Sequence, residues 1–299
     1  MNIIFMGTPE FARKSLHRLY NDGHNILAVF TGADKKRGRG MKLSPGPVKE
    51  LALSYNTPVY TPFEMTAELI ASFDCDLIAV VAYGKMLPES ILNIPPLGCI
   101  NIHGSLLPKY RGASPIQHAV LNGESLTGVT SQYMVKEMDA GDVIFMKEIN
   151  IKPDDTSEDL FKRLGELGAD LLSETVTAIG QGNAPRIAQK AEDATFAPLL
   201  KKEESLIDFS DTAYKIKCKV QAFIPWPVAS MELGSKVVKV YGVEITDNNT
   251  SLSPGEVIPD SKHGIEIACK DGTIIITKLQ APGGKIMSVK DYLRGNRIL

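Results

Sequence analysis

The chain has 299 residues, 43% of them hydrophobic and 23% charged, and a formal net charge of −2 at pH 7. This balance excludes a disordered chain and a globally basic nucleic-acid binder, and no apolar run approaches the roughly 18 residues that cross a bilayer. The length favours two cores over one, so any nucleic-acid contact must come from local patches of charge.

Along the chain, the apolar start Met1-Asn-Ile-Ile-Phe-Met6 reads as a buried strand that breaks at Gly7-Thr-Pro-Glu10. It has no cleavage-site pattern, so no signal peptide is expected and the cytoplasm is the default compartment. Thr8 suits the N-cap and Pro9 the first position of a helix reaching about Tyr20. Ile26 to Thr31 reads as a second strand, and Pro45 to Tyr55 as a helix with Val48, Leu51 and Ala52 on one face. Asp76 to Val81 is a continuous apolar run of the kind found in a parallel strand covered on both faces. Cys99 to His103 is a further strand and Pro115 to Leu121 a short helix. Val129 to Val135 and Val143 to Ile149 form a strand pair, and a long helix runs from Ser157 to Ile179. The alternation predicts a Rossmann-like open, mostly parallel α/β sheet over residues 1–185, with ligands beyond the carboxyl ends of its strands.

From Gly180 the pattern changes. Residues 186–203 lack a sustained period and read as a linker. Over 204–299, strand-like stretches at Ala229–Leu233, Lys236–Val243, Gly255–Ile258, Ile265–Cys269 and Thr273–Leu279 predict a small β-barrel of the OB type. Lys215, Lys217 and Lys219, with Lys236 and Lys239, form either a positive stripe on that barrel or the solvated face of ordinary structure. The four cysteines, Cys75, Cys99, Cys218 and Cys269, are widely spread and none lies in a C-x-x-C pair, which argues against zinc and against a disulfide framework.

The densest chemical signal is Gly98-Cys-Ile-Asn-Ile-His-Gly-Ser-Leu-Leu-Pro-Lys-Tyr-Arg-Gly-Ala-Ser-Pro115. Asn101 and His103 are two apart on a strand and emerge from one face near its carboxyl end. Asp139 lies in the turn between the last two strands of the first domain. An amide, an imidazole and a carboxylate in one cleft suit acyl transfer to an amine, which passes through an oxyanion and requires loss of a proton. On spacing alone the other reading also stands: His103 as a structural hydrogen-bonder and Asp139 as a turn former. The start Gly7-Thr-Pro9 is not G-x-G-x-x-G, which disfavours a dinucleotide. Lys35-Lys-Arg-Gly-Arg-Gly-Met-Lys42 places five basic residues in eight. It is either a phosphate-contacting loop or a solvated one.

The run from Asn101 to Pro115 resembles the signature of the folate-dependent formyltransferase superfamily, Asn-x-His-x-Ser-Leu-Leu-Pro followed by a Tyr-Arg-Gly segment. Further stretches match the branch of that superfamily acting on methionyl-tRNA: Met6–Phe11, Gly38–Pro45 through Lys49, and Phe196-Ala-Pro198 to Trp226-Pro227. The resemblance implies transfer of a formyl group from 10-formyltetrahydrofolate to the free amine of initiator methionyl-tRNA, with no metal; a monomer is expected. It implies that Asn101, His103 and Asp139 are the catalytic trio. Asn101 and an imidazolium His103 would stabilise the oxyanion, with Asp139 holding that charge and helping to remove the amine proton. It further implies that Ser105, Leu106, Leu107 and Pro108 line the folate site and that Arg37, Arg39 and Lys42 contact tRNA. Two positions depart from the pattern: Ile224 stands where Asn is common and Val228 where Gly is usual, so packing there is expected to differ while catalysis is not. A formyltransferase for another amine, such as an amino-sugar nucleotide or a purine precursor, would share the trio but leaves the basic segment and the barrel unexplained. A non-catalytic tRNA-binding relic is disfavoured by the intact trio.

Overall fold

Both faces of the first strand are buried, and this fixes how the rest of the sheet is covered. In the computed structural model, residues 1–37, 42–259 and 261–296 are described, with backbone alone at Lys36, Arg37 and Lys42. The chain divides into two compact units. The first comprises Met1–Pro115, Leu126–Asn150 and Phe161–Pro198; the second comprises Ile116–Ser125, Ile151–Leu160 and Leu199–Leu299.

The chain begins with β1 (Asn2–Gly7), α1 (Glu10–Asn21), β2 (Asn25–Phe30), β3 (Lys35–Arg37), β4 (Lys42–Ser44), α2 (Pro47–Ser54) and β5 (Val59–Tyr60). Next come α3 (Ala67–Ala71), β6 (Leu77–Val81), α4 (Glu89–Leu92), β7 (Cys99–His103) and α5 (Pro115–Leu121). β8 (Leu126–Tyr133), β9 (Val143–Asn150) and α6 (Ser157–Gly180) complete the first half.

Seven strands form one sheet in the order β5-β2-β1-β6-β7-β8-β9. The pairs from β5 to β7 are parallel, and β8 and β9 add on antiparallel. The expected open, mostly parallel sheet is therefore present. Ile4, Met6, Ile78 and Val80 pack on one face with Ile70 and Ile91, while Ile3 and Phe5 are equally buried on the other. A strand with two dry faces carries no polar alternation. From β1 the chain moves outward to β2 and β5, then returns to the opposite side at β6. That reversal opens a crevice at the carboxyl ends of β1 and β6, beside the end of β7.

Two local expectations need correction. Pro9, not Thr8, is the N-cap of α1, and it makes no side-chain capping bond. The Thr8 hydroxyl instead accepts from the Gly32 N–H at 3.1 Å, satisfying a donor just beyond β2. Residues 35–44 are not all loop: β3 and β4 pair as an antiparallel hairpin, Arg37 opposite Lys42. Arg39 and the side chains of Arg37 and Lys42 lie outside the described residues.

The second unit contains α7 (Ala213–Ala222), β10 (Ser230–Leu233), β11 (Lys236–Thr246), β12 (Ile265–Cys269), β13 (Gly272–Gln280), β14 (Ile286–Ser288) and α8 (Val289–Leu293). Its antiparallel sheet runs β10-β11-β13-β12, with β14 on the remaining length of β13. It is a curled half-barrel around Val238, Val240, Ile265, Ile267, Ile274 and Ile276. Gly255–Ile258 is not a full strand and makes one bridge, Val257 to Ile267. Pro254 and Pro259 bracket it, and each lacks a donor for the ladder. Lys215, Lys217 and Lys219 lie on α7, where alternate positions do not share a face. Lys217 pairs with Asp154 at 2.9 Å and Lys219 donates to the Leu206 carbonyl at 2.5 Å, so the three form no stripe. Val228 has φ +68 and is 3% exposed, which accounts physically for the usual glycine there: a β-branched side chain is strained in the left-handed region.

On β12 the Glu266 side chain is buried, and it accepts from Ser261 Oγ and Thr273 Oγ1 at 2.6 Å each and from Asn248 Nδ2 at 2.9 Å. Burial pushes its pKa up, but the hydrogen bonds outweigh burial and leave it below the usual value. A carboxyl lowered on folding adds stability above its unfolded pKa and loses it as pH falls through the folded one. Chemical unfolding of wild type and Glu266→Gln between pH 7 and pH 3 should show a stability gap above about pH 5 that closes on acidification. A gap independent of pH would rule this ionisation out as its source.

Candidate active site

β7 carries Asn101 and His103 on the face opposite Ile102, whose side chain points to Gly168 of α6. Strand alternation turns both polar groups into the space beside the crevice. The β7–β8 register sets Asn101 against Gln132 and His103 against Thr130, so four polar side chains share one patch of sheet. Asn101 is half-buried, and its amide has no hydrogen-bond partner among the described residues. It is the group left free to donate.

His103 is 5% exposed. Its Nε2 lies 2.8 Å from the Tyr110 carbonyl oxygen, which can only accept, so Nε2 carries a hydrogen and Nδ1 is the nitrogen facing the cleft. Nδ1 is 3.6 Å from Asp139 Oδ1, within ion-pair range but too long for a direct hydrogen bond. His103 and Asp139 therefore meet in space beside Asn101 on the same face of β7, although Asp139 follows His103 by 36 positions.

Asp139 reaches this place because the β8–β9 connection folds back over the sheet. A register shift between Ser131 and Gln132 interrupts the β8–β9 ladder next to it, a bulge of the kind that re-aims neighbouring side chains. Asp139 has φ +52, tolerated by aspartate at a cost. Both carboxylate oxygens are anchored: Oδ1 accepts from Gln132 Nε2 at 3.0 Å and Oδ2 from the Gly112 N–H at 2.8 Å. Two glycines are required. A Cβ on Gly141 would sit 1.8 Å from the Tyr133 carbonyl oxygen. Gly112 has φ +120, and a Cβ there would lie 2.7 Å from the Ala197 carbonyl oxygen.

The loop after β7 is held from within. Ser105 is fully buried, its hydroxyl donating to the Lys109 carbonyl at 2.6 Å. Thr130 Oγ1 donates to the Ser105 carbonyl and accepts from the Leu107 N–H. Ser105 thus shapes the loop from inside, and Leu106 packs at Gly128. Leu107 and Pro108 line an open apolar cavity of about 500 Å³ with Val143, Phe145, Met146 and Ile187. Burial pushes the Cys99 thiol and the Tyr83 phenol each up to about 12, so neither supplies an anion near neutrality. No group of three or more His, Cys, Asp or Glu side chains able to hold a metal occurs among the described residues.

The stretch expected to be a linker lies against this site. Ile187 exchanges backbone hydrogen bonds with Val143 at 2.8 and 3.0 Å. The Arg111 N–H donates to Thr195 O, and the Ala197 N–H donates to Arg111 O, each at 2.8 Å. Residues that pair singly with separate partners show no period, which is why the stretch reads as irregular. Neither Gln132 nor Gln189 stands in a motif of the sequence. Gln132 becomes legible once β7 and β8 are paired in register; Gln189 has no local signal.

The formyl transferase family model matches residues 1–176, and the formyl transferase C-terminal domain model matches residues 199–297. The chain is 42% identical to a methionyl-tRNA formyltransferase of Clostridioides difficile over 302 residues, covering all of this chain and 98% of that protein. It is 43% identical to one of Trichlorobacter lovleyi, covering 98% of this chain and 94% of the other. A solved N-formyltransferase from Helicobacter canadensis, bound to folinic acid and dTDP-3-aminofucose, has a TM-score of 0.70 at 19% identity. It covers 92% of this chain and 98% of its own, a likeness of fold.

Gly112→Ala should lower unfolding free energy by roughly 1–3 kcal/mol, because it forces a side chain into a glycine-only conformation. A urea midpoint equal to wild type would contradict the close approach at Ala197.

Proposed function

The chain belongs to the methionyl-tRNA formyltransferase family, and from that premise we propose how its residues carry out the reaction. It is an enzyme that transfers a formyl group from 10-formyltetrahydrofolate to the free amine of methionyl-tRNA. The amine nitrogen bonds the formyl carbon, the formyl oxygen becomes an oxyanion, and the nitrogen gives up a proton. Collapse breaks the bond to the folate nitrogen, which is protonated as it leaves.

Asn101 donates its unpartnered amide N–H to the oxyanion. His103, tethered through Nε2 to Tyr110, presents Nδ1 to the same atom. Asp139 lies beside that nitrogen, supports its positive charge and receives the amine proton. What supports this reading above all is the approach of Asp139 to His103, beside Asn101 on the same face near the carboxyl end of β7, with the carboxylate held on both oxygens. The 3.6 Å gap leaves Nδ1 uncommitted before substrate arrives.

Ser105 and Leu106 shape the folate-side loop, and Leu107 and Pro108 present its apolar surface to the co-substrate. Arg37, Arg39 and Lys42, in the basic segment 35–42, contact tRNA phosphates. The acceptor is the initiator form of methionyl-tRNA, the enzyme acts as a monomer, and its place is the cytoplasm. No helix among the described residues is long and apolar enough to cross a membrane.

Asn101→Ala and His103→Ala should each lower turnover about 10²–10³-fold, or roughly 2.7–4 kcal/mol, while retaining the fold by circular dichroism. Near-normal turnover in either variant removes that residue from the mechanism. Affinity for methionyl-tRNA should fall steeply with salt, and Arg39→Ala should reduce the log–log slope by about 1. A slope unchanged by that substitution would sink the assignment of Arg39 to a phosphate.

A further inference from the structure

Gln189 makes more hydrogen bonds at this site than the mechanism uses. Its Nε2 donates to the Asp139 carbonyl at 2.9 Å and the Gly141 carbonyl at 2.7 Å, with Gln132 Oε1 at 3.3 Å. Its Oε1 accepts from Arg111 Nε at 3.1 Å and Nη2 at 2.7 Å. The amide orientation follows from chemistry: carbonyls only accept and a guanidinium only donates, so a flipped amide would face like partners on both sides.

These bonds join the two segments that hold the catalytic carboxylate. One is the turn 139–141, which begins with the left-handed Asp139. The other is Arg111-Gly112, whose glycine N–H anchors Oδ2. Gln189 is itself fixed from both ends, by Ile187 on Val143 and by Thr195 and Ala197 on Arg111. Asp139 adopts a sparsely populated backbone conformation, which aspartate tolerates at a cost and which persists where the surroundings over-determine it.

We propose that Gln189 is a positioning residue for catalysis: its amide locks the turn that presents Asp139 to His103 and ties that turn to the Arg111-Gly112 loop. The inference rests on Asp139 taking part in the reaction. Loss of the amide lets the turn relax, and displacement of about 1 Å at a reacting group can cost up to about 100-fold in rate. Substrate binding is left in place, because Gln189 touches no residue assigned to folate or tRNA.

The test is steady-state kinetics of Q189A, Q189E, D139N and the double variant Q189A/D139N, with folding checked by circular dichroism. Q189A should lower kcat roughly 10- to 100-fold with KM for both substrates within about 2-fold of wild type. Q189E keeps an acceptor for Arg111 but sets a carboxylate oxygen against two carbonyl oxygens, so it should lose as much kcat as Q189A or more. In the D139N background Q189A should add less than about 2-fold, because a residue acting through Asp139 has nothing left to position. A role confined to stability would cost the same in both backgrounds. Full kcat in Q189A alongside a slow D139N overturns this inference alone, as does additivity in the double variant. Normal turnover in D139N overturns the assignment of Asp139, and this inference falls with it. Should Q189A not fold, Q189E decides: unimpaired kcat there overturns the proposal.

Discussion

The site depends on holding one carboxylate where its backbone is reluctant to go. Asp139 lies in the left-handed region, in a connection that must fold back from the end of β8 over the face of the sheet. Its two oxygens are held by a side chain of the adjacent strand and by a backbone N–H from the loop after β7. Each anchor is itself pinned: Gln132 by strand register opposite Asn101, Gly112 by its close approach to Ala197. The strain is offset by bonds that exist only when the surrounding segments are in place.

This arrangement separates two jobs that the trio might have shared. His103 is fixed by the Tyr110 carbonyl rather than by a direct bond to Asp139, so its free nitrogen is oriented without being consumed. Asn101 has no hydrogen-bond partner among the described residues, while Gln132 opposite it is bonded to Asp139. Within the site, the Asn101 amide and His103 Nδ1 keep hydrogen-bonding capacity, while His103 Nε2 and Gln132 are spent on position. That division suits a reaction in which charge develops on an oxygen absent before substrate binds.

The second unit is built on different terms. Its half-barrel buries a branched aliphatic core and holds a loop through one carboxylate, Glu266, caged by three neutral donors. Its lysines on α7 are engaged locally, by Asp154, Asp211 and the Leu206 carbonyl, rather than arrayed on one face. In the first unit, Lys35, Lys36 and Arg37 lie on β3 and Lys42 on β4.

The features legible in the residue order are local and periodic. Continuous apolar runs at Asn2–Met6 and Asp76–Val81 specify strands dry on both faces, and the helix at Pro115–Leu121 is bounded by its own residues. Alternation put Asn101 and His103 on one face, and the resemblance of the stretch around them extended to the family. Tertiary structure alone decided the rest. Gln132 meets Asp139 because of strand register, and Gln189 does so because an aperiodic stretch is pinned by single bridges to strands far away in the chain. Thr8 gave its hydroxyl to Gly32 rather than to a helix end, and Lys215, Lys217 and Lys219 took helical rather than strand spacing. Periodicity reports which face of an element is buried. A hydrogen bond between distant residues leaves no period, because it is fixed by where whole elements come to rest against one another.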